Sequence, residues 1–363
     1  MSGPIHQFVH TLSYGDAISG EVLALQRCFR AAGRESEIFA LNVHPRYVGK
    51  ARNIDEFSAD FAGEVVLHYS LGSKLNGIYA GLPRATRSLI YHNLTPAKWF
   101  EGVNPRIVAD IRAGLDELPR LCEVTDRLLA DSAFNAAELR ALGFAADVLE
   151  LPIDRTKWSI PANPQIATLI AGEPGFHLLH VGRIAPNKCI EDIIRTFWFL
   201  HRFVEPQSRL WLVGIDIDTE LYSYTLKRLV HDLELGEAVT FAGCLTDDEV
   251  RALYEGSTAY LCMSEHEGFC LPLIEAMHFG LPVVAFGSSA VPDTMGSGGI
   301  VVAEKRFAEI AEILGEIYRD NTLRQRLRDA GRARVAGLSI ERFEAQVGAL
   351  FGAPVRSRAA VGG

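Results

Sequence analysis

Ser264-Glu265-His266-Glu267-Gly268-Phe269-Cys270-Leu271-Pro272-Leu273-Ile274-Glu275-Ala276-Met277 is the stretch around which the chain is organised. The apolar run Thr258–Met263 leading into it reads as a buried strand. Pro272 suits the first turn of a helix, where its missing N–H costs nothing. The amides of Gly268, Phe269 and Cys270 then face outward at a helix N-terminus, a natural seat for an anion. Glu267 stands in the loop and Glu275 in the helix, with seven residues between them. Two carboxylates oppose a bare phosphate. They fit a ligand whose phosphate meets the amides while its sugar hydroxyls donate to the acids. An ordinary strand–loop–helix corner with surface acids is the competing reading.

Working outward, 363 residues are long for one core, and two α/β domains are expected. The 48% apolar and 22% charged content is that of a globular protein, and a net charge of −9 argues against nucleic acid as partner. Six cysteines show no C-x-x-C pair or zinc spacing, so buried reduced thiols in a cytoplasmic protein are expected. The start of the sequence has no signal-peptide architecture, and no apolar run reaches the ~18 residues of a membrane span. The expectation is a cytoplasmic protein, at most peripheral at the inner face of the cytoplasmic membrane.

Strand-like and helix-like segments alternate. Ile5–Thr11, Glu37–Leu41, Val65–Tyr69, Ser88–Tyr91, Leu128–Asp131 and Val148–Leu151 read as strands, with helices over Ala17–Ala32, Pro105–Cys122 and Phe134–Leu142. Leu151-Pro152-Ile153-Asp154 begins a proline-rich connection running to Pro164. The pattern then restarts. Strands are expected at Phe176–Val181, Leu210–Gly214, Val239–Ala242, Thr258–Met263, Pro282–Phe286 and Gly299–Val302. Helices are expected at Ile190–Phe203, Glu220–Leu233, Phe307–Tyr318, Thr322–Val335 and Ile340–Phe351, with a capping box at Thr246. This predicts two Rossmann-like, doubly wound parallel-sheet α/β domains, 1–152 and 153–338, facing across a cleft. A last helix, 339–351, and a disordered tail, 352–363, complete the expectation.

Ligands in such sheets bind beyond the carboxyl ends of the strands. Gly182-Arg183-Ile184-Ala185-Pro186-Asn187-Lys188 follows one strand, and Arg183 and Lys188 beside a helix start suit a diphosphate. Solvated surface charges are the alternative. Gly15, in the turn before the first helix, permits close backbone approach, and a simple turn explains it equally well. His92 ends a short strand and could orient a ligand or carry a proton. A structural hydrogen-bonding role is the more common one, and His68 has a weaker case. Asp216 and Asp218 read as helix caps. No G-x-G-x-x-G, Walker A or G-x-S-x-G signature is present.

The stretch Glu267 to Glu275 resembles the E-x7-E signature of retaining GT-B glycosyltransferases, and is most similar to family 4. Val181-Gly182-Arg183 with Asn187-Lys188, Gly280-Leu281-Pro282-Val283-Val284-Ala285 and Ala130-Asp131-Ser132 match in order. The resemblance implies a donor site in which Glu275 binds the ribose and Glu267 the transferred sugar. Gly268, Phe269, Cys270 and Leu271 would lie near sugar and phosphate, and Gly15 and Gly182 near the donor phosphates. Arg183 and Lys188 would neutralise the leaving diphosphate, and His92 would stand by the reaction centre. Position 270, often glycine in this motif, is cysteine here. The resemblance further implies hexose transfer with retention from a nucleoside-diphosphate sugar to a saccharide or lipid-linked saccharide, in cell-surface polysaccharide synthesis. Neither metal nor cofactor is expected, and the resemblance implies that the last helix, Ile340–Phe351, crosses back to the first domain. A catalytically silent sugar-nucleotide-binding subunit and a GT-B sugar-nucleotide epimerase are the alternatives.

Overall fold

The computed structural model describes residues 3–153 and 155–352, with only the backbone of Thr156 and Lys157. Asp154, in the expected connection, lies outside the described residues, as does all of the expected tail except Gly352, which closes the last helix.

Each half forms an all-parallel sheet between helices, as the strand–helix alternation predicts. The first runs β1 (Ile5–Leu12), α1 (Ala17–Ala31), β2 (Ile38–Val43), β3 (Arg52–Asn53), β4 (Glu64–Tyr69), α2 (Lys74–Ala80), β5 (Thr86–Tyr91), α3 (Pro105–Val124), β6 (Arg127–Ala130), α4 (Ala133–Ala141) and β7 (Asp147–Val148). Its strand order is β3-β2-β1-β4-β5-β6-β7. The second runs α5 (Pro164–Gly172), β8 (Phe176–Val181), α6 (Ile190–Phe199), β9 (Ser208–Val213), α7 (Glu220–Asp232), β10 (Val239–Gly243), α8 (Asp247–Gly256), β11 (Ala259–Cys262), α9 (Leu271–His278), β12 (Val283–Phe286), α10 (Val291–Met295), β13 (Ile300–Val302), α11 (Phe307–Arg319) and α12 (Asn321–Ala336). Its order is β10-β9-β8-β11-β12-β13. The chain ends in α13 (Ile340–Gly352).

The contacts group residues up to Lys98, Pro105–Ile153 and Ile340 onward as one unit, and Trp99–Asn104 with residues 155–339 as the other. In the first unit, Phe8, Val65, Leu67 and Leu89 pack on one face against Leu75 of α2 and Leu118 of α3. On the other face Ile5, Val66 and Ile90 meet Leu25 and Phe29 of α1 and Phe343, Val347 and Phe351 of α13. In the second unit Leu178, Leu210, Leu212 and Leu261 pack against Ile193 and Phe197 of α6, Leu226 of α7 and Leu314 of α11. Central strands buried on both faces need largely apolar runs, which makes β11 legible, while β8 carries the buried His177 and His180 among its apolar residues.

Several expectations shift. The segment expected as strand Val148–Leu151 pairs only through Asp147 and Val148. The helix expected to reach Phe203 is α-helical to Phe199 and continues as a π-helical turn, Leu200–Val204. Asp216 and Asp218 do not cap α7 with their side chains. Thr219 holds the cap position, and the Asp216 backbone carbonyl accepts from the Thr219 amide (2.9 Å) and hydroxyl (3.1 Å). Thr246 and Glu249 form the expected capping box of α8. Among the described residues, no helix is long and apolar enough to cross a membrane.

Candidate active site

Strand order in the second sheet reverses between β8 and β11. The loops leaving these two strands at a topological switch point are where open α/β sheets bind ligands. They are the loops carrying Gly182–Lys188 and Ser264–Cys270.

Asn187, buried, ties them together. Its backbone carbonyl accepts from the Glu265 amide (3.0 Å) and its side-chain amide donates to the His266 carbonyl (3.0 Å). Beside it, Lys188 Nζ donates to both carboxylate oxygens of Glu267, at 2.7 and 2.6 Å. The Glu267 side chain is 7% exposed and that of Lys188 20%. Burial pushes the Glu267 carboxyl up, but the facing ammonium and hydrogen bonds from Lys188, Ser264 and Cys270 outweigh it and hold the acid below its ordinary range. Burial likewise lowers Lys188, and Glu267 more than reverses this, raising it to about 12. The pair is therefore ionised at neutral pH.

The loop after β12 backs this arrangement. The Glu267 amide donates to Ser289 Oγ (2.7 Å), and Ser288 Oγ donates to the Glu265 carbonyl (2.5 Å). Thr294 of α10 donates to the Phe269 carbonyl. The amides of Gly268, Phe269 and Cys270 donate to no group among the described residues. Three N–H groups stand open at the N-terminus of α9, which suits an anion. Cys270 occupies the position before the helix with φ 71° and ψ 63°. That left-handed backbone favours glycine, which explains why glycine is usual in the motif. Its Sγ lies 4.0 Å from that of Cys262. Leu271 and Glu275, both half-buried, lie on the first turns of α9, and Glu275 accepts from the Tyr254 hydroxyl (3.1 Å).

Arg183 is exposed, and its Nη2 donates to the Ile217 carbonyl (2.7 Å) in the loop after β9. That loop can approach because Gly214 carries no side chain. A Cβ there would lie 1.8 Å from the Gly182 carbonyl oxygen, on a backbone with φ +152°. Under the same loop His180 Nδ1 hydrogen-bonds the Leu261 carbonyl (3.0 Å), and burial pushes the ring down to about 4, so it is neutral.

The two remaining expected residues belong to the first unit. Gly15 sits in the turn after β1 with φ +77°, which glycine adopts without strain. His92 follows β5, and its side chain is fully enclosed. Its Nδ1 meets Asp131 Oδ2 (3.3 Å) and its Nε2 meets His68 Nδ1 (3.0 Å). Glu21 of α1, also fully enclosed, lies 3.3 Å from His92 Nε2 and 3.4 Å from His68 Nδ1. Burial pushes its carboxyl up to about 8. Glu21, Asp131, Tyr254 and Ser289 carry no motif that marks them as site residues in the sequence. Glu21 had a signal: an acid on the apolar face of a helix, between Ile18, Val22 and Leu25.

Residues 166–334 match the family described as glycosyl transferases group 1. The chain is 32% identical over 111 residues to the MMP alpha-(1->4)-mannosyltransferase of Mycolicibacterium hassiacum, covering 30% of this chain and 27% of that protein. It is 26% identical over 251 residues to the D-inositol 3-phosphate glycosyltransferase of Pseudarthrobacter chlorophenolicus, covering 63% of this chain and 58% of that one. Among solved structures, the Anabaena protein HepE in complex with UDP and glucose superposes with a TM-score of 0.76 at 15% identity, over 97% of this chain and 100% of that chain. The chain spans between 27% and 58% of the length of these two curated relatives.

Proposed function

With a second unit that is a glycosyl transferases group 1 domain, in a chain of GT-B fold, we propose that this protein transfers a hexose from a nucleoside-diphosphate sugar to a saccharide or lipid-linked saccharide. The observation that carries the reading is the set of open amides at Gly268, Phe269 and Cys270, flanked by the Lys188–Glu267 pair and Glu275. Amides and Lys188 take the diphosphate, Glu275 accepts from the ribose hydroxyls, and Glu267 turns from Lys188 toward the hydroxyls of the sugar. Arg183, on its exposed loop, neutralises the phosphates. Leu271 and Phe269 wall the apolar side.

In the reaction the bond from the anomeric carbon to the diphosphate oxygen breaks, and a bond to the acceptor oxygen forms on the same face. The acceptor proton passes to the departing diphosphate, whose growing charge the amides and Lys188 stabilise. No metal is needed at the phosphates. His92, enclosed as it is, positions the loop after β5. The work belongs to cell-surface polysaccharide synthesis at the cytoplasmic face of the membrane. The mannosyltransferase and the UDP- and glucose-bound neighbour support a hexose donor.

The test is calorimetry with UDP and GDP against wild type and Glu275→Ala. Loss of hydrogen bonds to a charged acceptor, about 1.5–3 kcal/mol, weakens binding roughly 10- to 100-fold. Unchanged affinity removes Glu275 from the site. A protein that binds both nucleotides yet releases neither from a sugar donor is a silent binding subunit.

A further inference from the structure

The enclosed cluster of the first unit takes no chemical step in this reaction, and its hydrogen-bond pattern is incomplete. Gln7 Nε2 donates to the Val22 carbonyl (3.0 Å), which leaves Gln7 Oε1 as the acceptor facing His68 Nε2 (3.0 Å). His68 therefore carries its proton on Nε2 and turns a lone pair inward at Nδ1. Asp131 Oδ2 faces His92 Nδ1 (3.3 Å), so His92 carries a proton there and turns Nε2 inward. Glu21 adds a carboxylate, and neither of its oxygens has a hydrogen-bond partner although both are buried. Three lone-pair atoms thus converge, with separations of 3.0, 3.3 and 3.4 Å.

A single proton between the two imidazoles satisfies that pair and leaves Glu21 stranded. One divalent cation satisfies all three. Tetrahedral bonds of about 2.0–2.1 Å to N and O put neighbouring donor atoms about 3.3–3.4 Å apart, close to what is seen. The outer groups agree: metal-bound histidines characteristically donate their second N–H to a carboxylate or carbonyl, as Asp131 and Gln7 provide. The charge balances too, with Glu21 and Asp131 opposing two positive charges.

We propose that Glu21, His68 Nδ1 and His92 Nε2 form a buried site for a divalent first-row transition ion, of the kind zinc fills, with Glu21 chelating through both oxygens in a distorted four-coordinate arrangement. The side chains of Glu21, His68 and His92 are 0% exposed, so the site is closed and structural. It fastens α1 to the carboxyl ends of β4 and β5, the edge where this sheet would meet a ligand.

The test measures metal content of the full chain purified without added metal, by plasma mass spectrometry after dialysis. About one equivalent of zinc or a similar ion is expected, and loss of it in Glu21→Gln and His68→Gln, each checked for native circular dichroism. Refolding the stripped wild type with Zn2+ in free excess of about 1,000 times its Kd raises the unfolding midpoint by roughly 8–16 °C. Should either variant fail to fold, the Co2+ form of the wild type decides. Intense visible bands of four-coordinate cobalt support the site, and the pale spectrum of six-coordinate cobalt overturns it. Metal retained in both folded variants places it elsewhere and overturns the proposal. So does a metal-free wild type that gains no stability from Zn2+ or Co2+. None of these readouts depends on sugar transfer, so they stand apart from the test of function.

Discussion

Replacing Lys188 with methionine removes one half of a buried ion pair and keeps most of the side-chain volume. At a charge separation of about 3 Å and an effective dielectric near 20, the lost attraction is about 5 kcal/mol. Breaking buried pairs by removing one partner costs about 3–5 kcal/mol, because the other charge is left desolvated. Lys188 keeps 20% exposure, which admits water and favours the lower end, about 3 kcal/mol. For a unit of this size that corresponds to roughly 6–12 °C in the midpoint. All four tryptophans, Trp99, Trp158, Trp198 and Trp211, belong to the second unit, so their fluorescence during urea unfolding reports on it. The pH dependence follows from Glu267, whose folded value lies below the ordinary 4.5. The pair's stabilisation is fully present above 4.5 and is lost as pH falls through the folded value. The gap between wild type and Lys188→Met is therefore largest at pH 7 and narrows toward pH 4. Adding Glu267→Leu to the variant recovers most of the loss. A penalty below about 1 kcal/mol at pH 7, or an equal one at pH 4, refutes the reasoning.

Two further outcomes rest on packing. Gly214→Ala drives a Cβ to 1.8 Å from the Gly182 oxygen, a backbone collision, and costs about 3 kcal/mol or more by chemical denaturation, whereas Gly236→Ala, with nothing within 4 Å, stays within about 0.5 kcal/mol. Phe343→Ala opens a hole between α13 and α1 at a site only 2% exposed and costs about 3–5 kcal/mol, read from the thermal transition in far-ultraviolet circular dichroism; no change would mean α13 does not seal that core.

Much of this was legible in the chain. Phe176–Val181 is legible to the residue, because Phe176, Leu178, Leu179 and Val181 are apolar around two histidines and Gly182 ends the run. The loops of Glu267 and Lys188 were found from anion chemistry at helix starts. Their direct pairing was not, since a sequence records neither the distance between two loops nor the Asn187 bridge that sets it. Short elements escaped for a different reason. β3 is two residues and α2, Lys74–Ala80, fewer than two full turns, too brief for any periodicity. Glu21 was overlooked because an acid in a helix reads as solvent-facing unless its neighbours on the same face are counted.

The packing of α13 on α1 also sets a schedule for synthesis. Residues 155–339 leave the ribosome as one uninterrupted run and can close their core as soon as they emerge. The earlier-made first unit must wait through all of that. Until Phe343, Val347 and Phe351 arrive, the cluster of Leu25 and Phe29 with Ile5, Val66 and Ile90 lacks its closing helix. The half that is translated first is therefore the half that finishes last, and in the interval it is the natural client of a chaperone.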